Sequence, residues 1–240
     1  MRTTTNILIL NMAVSDVIVT LIGCPITVAW FWDGMLWFGG LVGEITCRIC
    51  FSVFYLSCYV SLFSLLFISM DRFLAVKRPL QHKAMKGWLK YAVSATWLVA
   101  LLSVESAMSI CLVERGDGKV VCGIRDMRRT GIFMMTVFLV MLVAMVFIYT
   151  WIGYKLWTRH TPGEQQGTVD QRNARTASRA TRMIIATLLA FVVCWSPSIA
   201  LEIQGVVTPP STPAFAYAIL YFNGLINVCI YVLMNEKFRN

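Results

Sequence analysis

Apolar stretches of about 20 residues or more recur along this chain almost from end to end, and that recurrence leaves few folds open. A helix of about 20 residues crosses the roughly 30 Å hydrocarbon layer of a bilayer, where each backbone polar group must be satisfied inside the segment itself. Six such stretches can be marked, at about residues 6–30, 47–76, 91–111, 130–157, 183–206 and 214–234. Charged residues make up 14% of the sequence and hydrophobic ones 58%, whereas a soluble domain has about a quarter charged. The expected fold is an all-α integral membrane bundle, one domain over residues 1–240.

The net charge of +9 could point to nucleic acid, but lysine and arginine avoid the apolar stretches and gather in alternate connections. That asymmetry is a topology signal, because connections rich in Lys and Arg stay on the cytoplasmic side. Lys77, Arg78, Lys83, Lys86 and Lys90 crowd one connection, and Arg172, Arg175, Arg179 and Arg182 fall on about one helical face of another. The arginine row reads equally well as a solvated helix start facing lipid headgroups. The connection Phe31–Glu44 carries acids and no base, so it is expected outside, with Trp37 and Phe38 as an interfacial anchor. Fifteen of the 21 Lys and Arg residues lie in segments assigned to the cytoplasm. The connection with Arg115, Lys119, Arg125, Arg128 and Arg129 runs against the rule; it also holds Glu114, Asp117 and Asp126. Six spans place both termini inside. His82 and His160 stand far apart in basic connections, and no metal cluster is expected.

Several polar residues sit where hydrocarbon makes them expensive. Asp16 lies within the first stretch, and a carboxylate there costs about 2.5 kcal/mol or more unless it faces protein or water. It must therefore point into a bundle. Asp71 and Arg72 stand at the exit of the second stretch, an acid beside a guanidinium at the inner surface. Pro197 removes a backbone donor within FVVCWSP and should kink that helix. Asn223 and Asn227 interrupt an otherwise apolar final stretch.

These features fall in a fixed order: TNILILNMAVSD around Asp16, WFG at Trp37–Gly39, Cys47 opening a span, MDRF at Met70–Phe73, Trp97, Cys122, Tyr149, FVVCWSP, and NVCIY at Asn227–Tyr231. In that order they resemble the rhodopsin-like (class A) G-protein-coupled receptors, most closely the neuropeptide receptors. The family has seven spans and this chain offers six, so the resemblance implies that the first helix would precede MRTTTN and that Met1 is an internal methionine of a longer protein.

The resemblance also implies roles. Arg72, held by Asp71, would swing inward on activation and open a cytoplasmic cleft for a heterotrimeric G-protein. Tyr149 and Tyr231 would meet near it in the active state, and Phe191, Trp195 and Pro197 would form the hinge. Relatives often clamp the arginine with an acid at the start of the hinge helix; RTASRAT has none, which implies a weaker latch and raised basal activity. Asp16, Ser61, Trp195, Asn223 and Asn227 match a water-filled pocket that holds a sodium ion, although a satisfied polar network without an ion fits the same residues. Cys47 and Cys122 match a disulfide between a helix top and the long outer connection. Phe54, Tyr55, Cys58, Ser198, Glu202, Tyr217 and Tyr221 match the ligand pocket. Phe54 stands where amine receptors carry an aspartate, and Tyr221 where opsins carry the retinal lysine, so a peptide ligand is implied. Glu202 reads either as the partner of a basic group on that peptide or as an acid reaching the outer surface. Two positions depart from the pattern, since Val228 and Met141 replace prolines of the family.

The implied protein is a multi-pass receptor of the plasma membrane, not an enzyme, with the lipid bilayer around it. Other classes make other demands. An ion-coupled transporter would show internal repeats with broken helices, and an intramembrane enzyme would pair catalytic groups at membrane depth. Neither pattern is present in the sequence. A truncated product that does not signal, and acts by pairing with full-length receptors as a dimer, would leave Asp16 and Asn227 without a neighbouring helix and reach the surface poorly.

Overall fold

A computed structural model describes residues 4–77, 88–104, 110–114, 118–158, 168–204 and 211–234. Its elements are α1 (Thr4–Asp33), α2 (Gly40–Lys77), α3 (Trp88–Ser103), β1 (Ile110–Glu114), β2 (Val120–Ile124), α4 (Met127–Thr158), α5 (Thr168–Gln204) and α6 (Ser211–Met234). Within these, α1, α2, α4 and α5 contain segments long and apolar enough to cross a membrane; the apolar parts of α3 and α6 are shorter.

The helix α2 is the axis of the bundle. It contains no proline and, after Gly43, no glycine, so nothing interrupts its hydrogen-bond ladder. It is buried over 72% of its apolar window, against 22–44% for the other three long segments. Around it α1, α6, α5 and α4 pack in sequence, each on the next, while α3 lies against α2 and α1. The outward faces of the ring are apolar: Leu10, Val14, Val17 and Leu21 on α1, and Leu139, Val143, Val146 and Phe147 on α4, are exposed at helical spacing. Such faces suit a hydrocarbon surrounding, since lipid tails are as apolar as leucine.

The outer end is closed by a hairpin that periodicity did not foretell. β1 and β2 pair antiparallel with Leu112 opposite Cys122, and Gly118, at φ 77°, lies in the segment that joins them. A third short edge comes from the connection after α1, where Leu36 bridges Val121. Trp37 N–H donates to the Val120 carbonyl at 2.9 Å and Cys122 N–H to the Met35 carbonyl at 3.1 Å. Met35 is buried at a left-handed φ of 68°, a conformation costly for a residue with a side chain. The Trp37 indole N–H donates to the Gly43 carbonyl at 3.0 Å and to Thr46 Oγ1 at 3.1 Å, tying the connection to α2. Gly43 is required there, because a Cβ would lie against the Phe38 carbonyl. Cys47 and Cys122 form the disulfide that joins α2 to β2.

Three expectations change. The stretch 91–111 is not one helix: α3 ends at Ser103, and Ile110 and Cys111 belong to β1. An apolar run of strand length cannot be told from helix by periodicity alone; residues 105–109 lie outside the described residues. The connection 158–182 is largely helical, since α5 starts at Thr168 and carries the arginine row on its backbone; the side chains of Arg172, Arg175 and Arg179 lie outside the described residues. Trp37, expected only as an interfacial anchor, is also a half-buried pin to α2, whereas Phe38 is exposed.

Candidate functional site

The buried polar residues form a column down the bundle. At mid-depth Asp16 on α1 meets two other helices: Ser61 Oγ on α2 donates to its Oδ1 at 2.8 Å, and Asn227 Nδ2 on α6 donates to its Oδ2 at 3.1 Å. Gly224 makes this possible, as a Cβ there would come within 3.0 Å of the Asp16 Cβ. Beside the carboxylate is a cavity with about 10 Å³ open to the centre of a water-sized sphere, lined by Asp16, Thr20, Trp195, Tyr221, Asn223 and Gly224 among others. That is about the room one water or a small ion requires. The side-chain oxygens of Asn223 and Asn227 are buried without a hydrogen-bond partner, as is the Trp195 indole N–H. The donor set of carboxylate, hydroxyl and amide oxygens fits a small hard cation. Trp195 lines the cavity but offers only an N–H, so it is not a ligand.

A second polar stitch lies toward the inner side. Asn11 Nδ2 donates to Ser64 Oγ at 2.9 Å and to Thr96 Oγ1 at 3.1 Å, and the Trp97 indole N–H donates to Asn11 Oδ1 at 3.0 Å. Trp97 thereby fixes α3 to α1 and α2.

At the inner end the Arg72 guanidinium stands 3.6 Å from Asp71 Oδ2, with the acid's side chain 1% exposed and the arginine's 26%. Tyr149 on α4 turns to Ser69 on α2. Its hydroxyl lies 2.6 Å from Ser69 Oγ, and because Ser69 donates its own proton to the Leu65 carbonyl, the tyrosine is the donor of that pair. The side chain of Tyr231 lies outside the described residues. Above this level Phe191, six residues before Pro197 in α5, stacks on Trp195 at 4.7 Å and on Phe138 at 5.9 Å.

At the outer end a cleft is lined by Ile26, Thr27, Phe51, Phe54, Tyr55, Tyr217 and Tyr221. Of the residues expected in a ligand pocket, Phe54, Tyr55, Tyr217 and Tyr221 therefore share one wall. Ser198 turns its hydroxyl back to the Trp195 carbonyl, and Cys58 is buried away from the lining. Glu202 does not reach the outer surface, being 3% exposed. Its Oε1 accepts from Tyr55 and from Tyr217, each at 3.1 Å.

Sequence reasoning overlooked Thr27, whose hydroxyl pairs with that of Tyr221 at 2.7 Å, and Gly23, where a Cβ would come within 2.5 Å of the Tyr221 ring. The available signal was small residues within a span, which mark close helix approach in membranes. Cys47 and Cys50 stand at metal-site spacing, yet Cys47 is spent on the disulfide and Cys50 is a free thiol.

The sequence signature of the 7 transmembrane receptor (rhodopsin family) matches residues 1–231. The RYamide receptor of Tribolium castaneum is 27% identical over 100% of this chain and 71% of its own length. The tachykinin-like peptides receptor 99D of Drosophila melanogaster is 27% identical over 100% of this chain and 50% of its own, and mouse (Mus musculus) prokineticin receptor 2 is 29% identical over 82% and 54%. This chain thus spans little more than half the length of two of these three relatives. A match over nearly the whole sequence, on a bundle whose polar column joins an outer cleft to an inner arginine, settles the class: the chain belongs to the rhodopsin family of seven-transmembrane receptors, multi-pass membrane proteins that are receptors and not enzymes.

Proposed function

We propose that this chain is the bundle of a plasma-membrane receptor that converts binding of an extracellular peptide into activation of a cytoplasmic heterotrimeric G-protein. The observation that carries the reading is α2 itself. This one most-buried helix is fixed by the Cys47–Cys122 disulfide at its outer end, lines the aromatic cleft through Phe54 and Tyr55, and ends at the Asp71–Arg72 pair. A ligand that moves its outer half acts on the same rigid element that presents Arg72. The relatives support a peptide as the ligand, since their names refer to RYamide, tachykinin-like peptides and prokineticin. The test is to express the full chain with a G-protein reporter and apply a panel of amidated neuropeptides that includes RYamides and tachykinin-like peptides. One peptide should give a saturable response, and Arg72→Ala should cut it by about tenfold or more, the worth of a charge-assisted contact, at equal surface expression. A response indifferent to Arg72 would end the G-protein reading.

The cavity beside Asp16 is read as a site for an allosteric sodium ion, carried by Asp16, Ser61, Asn223 and Asn227. Support comes from the unpartnered amide oxygens and the all-oxygen donor set. Replacing extracellular sodium by N-methylglucamine should raise basal signalling and agonist affinity. In Asp16→Asn the two media should give the same result. A sodium effect that survives this substitution would place the ion elsewhere.

A further inference from the structure

We propose that the inner ends of α2 and α4 form a site for an anionic phospholipid of the cytoplasmic leaflet, its phosphate shared by Lys77 and Lys155 and an acyl chain lying on Met70, Phe73 and Trp151. The site lies apart from the outer cleft and from the side of α2 that presents Arg72. It does not depend on which ligand the receptor binds.

One ring pair and two ammonium groups make the site. Phe73 near the end of α2 and Trp151 near the end of α4 stand 4.5 Å apart between ring centroids. Lys77 Nζ lies 5.2 Å from the Phe73 centroid and Lys155 Nζ 6.0 Å from that of Trp151, within reach of a cation–π contact. On both helices the lysine follows its ring by four residues, the spacing at which side chains of a helix meet. Among the described residues neither ammonium pairs with a carboxylate, the ion pairs there being Arg48–Glu44 and Arg72–Asp71. Two like charges thus flank one ring pair, and no described acid answers them.

Both charges stand at one depth, on a face open to lipid. The apolar segments of α2 and α4 are Gly40–Lys77 and Met127–Lys155, so each ends on its lysine, at the boundary where hydrocarbon gives way to headgroups. α3 packs on α2 and α1, while α4 packs on α2 and α5, which leaves α2 as the floor between α3 and α4. With about 100° between successive helix residues, Met70, Phe73 and Lys77 share one side of α2, turned roughly 100–160° from Arg72. Met70 is exposed there although α2 is the most buried of the long helices. On α4, Trp151 and Lys155 continue by steps of four the exposed row of Leu139, Val143 and Phe147, with exposed Tyr154 beside them.

An anionic lipid matches both halves of this face. A soluble anion would leave Met70 and the ring pair uncovered, and a zwitterionic lipid would bring its own cation to compete with the lysines. Basic pockets between helices on the cytoplasmic side take lipid phosphates, and Lys77 also opens the connection that holds Arg78, Lys83 and Lys86, which draws anionic lipid to this edge of the bundle. A lipid seated there braces the last turn of α2 against α4.

Dioleoyl phosphatidic acid is the probe. Native mass spectrometry of the purified full chain should show one copy retained at a concentration where phosphatidylcholine is stripped away, and in nanodiscs the same lipid should raise the thermal midpoint saturably. Lys77→Gln and Lys155→Gln should each weaken retention by about fivefold, and Trp151→Leu, which keeps both charges, by about threefold. Lys83→Gln with Lys86→Gln removes as much charge from the adjoining connection, where salt screens it, and should weaken retention by less than about twofold. Equal losses in the two lysine pairs would reduce the site to diffuse attraction and overturn the proposal. So would displacement of the lipid by glycerol phosphate as readily as by dioctanoyl phosphatidic acid, the mark of a site for any soluble phosphate. Retention undiminished by Lys77→Gln with Lys155→Gln would also overturn it, leaving two lysines that reach separately for water; a G-protein response lost in that same variant would give the face to the G-protein instead. If Trp151→Leu fails to fold, the two lysine pairs decide.

Discussion

Cys122→Ser should lower the stability of the folded receptor by about 2–4 kcal/mol and remove most of it from the cell surface. The bridge closes a loop with a sequence separation of 75 residues, long enough for the chain-entropy model to give about 4 kcal/mol as an upper figure. Both half-cystines are buried, at 0% and 2% exposure, so the Cys47 thiol and the new serine hydroxyl left in that space would also disturb the packing of α2 against the hairpin. What remains in the variant is weak. Beyond its ladder with β1, β2 keeps the Cys122 N–H to Met35 bond and the Trp37 N–H to Val120 bond along its other edge, and neither ties it directly to α2. The measurement is the thermal midpoint of the purified receptor together with surface labelling. Cys50→Ser is the control, since that thiol is free and only half-buried and should change stability by less than about 0.5 kcal/mol. A Cys122→Ser receptor as stable and as abundant as this control would show that the bridge does not hold the outer face.

How much of this was legible in the sequence depends on which force decides each feature. Hydrocarbon length is a property of a segment, so most of the long helices could be read directly, although the stretch 91–111 divides into α3 and β1. Asp16 had to face protein because no other place at that depth is cheap; that it meets Ser61 on α2 and Asn227 on α6 follows only once three helices are placed side by side. The hairpin was invisible for the opposite reason. Ile110 to Val113 are as apolar as a helix end, and only the pairing of β1 with β2 shows them to be strand. Glu202 read equally as a surface acid or a ligand partner, because sequence shows position along α5 but not the two tyrosines that surround it. Ser69 gave no signal at all, its role arising from its closeness to Tyr149 across two helices. Glycines carry the same lesson. Each lacks a side chain whose absence has meaning only where another helix arrives.

Gly131 is the position where that lesson has the largest effect. A Cβ at Gly131 on α4 would come within 2.7 Å of the Glu202 carbonyl carbon and the Ile203 nitrogen of α5, and within 2.8 Å of the Glu202 Cβ. Two of those three atoms are backbone, so no rotamer change relieves the clash; α4 and α5 must part at their outer ends. Gly131→Val should therefore cost about 1–3 kcal/mol or more, and it should also displace the carboxylate that Tyr55 and Tyr217 hold. Gly131→Ala should show the same loss in milder form. Gly153, lower on the same helix, is the opposite case: a Cβ there meets nothing within 4 Å, and Gly153→Ala should raise stability by about 0.4–1 kcal/mol through helix propensity and a less flexible unfolded chain. Thermal midpoints of the three variants distinguish contact from propensity. If Gly131→Val and Gly153→Ala moved the midpoint in the same direction, the close approach of α4 to α5 would not be what holds Glu202 in place. Opposite signs would identify the close approach of α4 to the outer end of α5 as what holds Glu202 against Tyr55 and Tyr217.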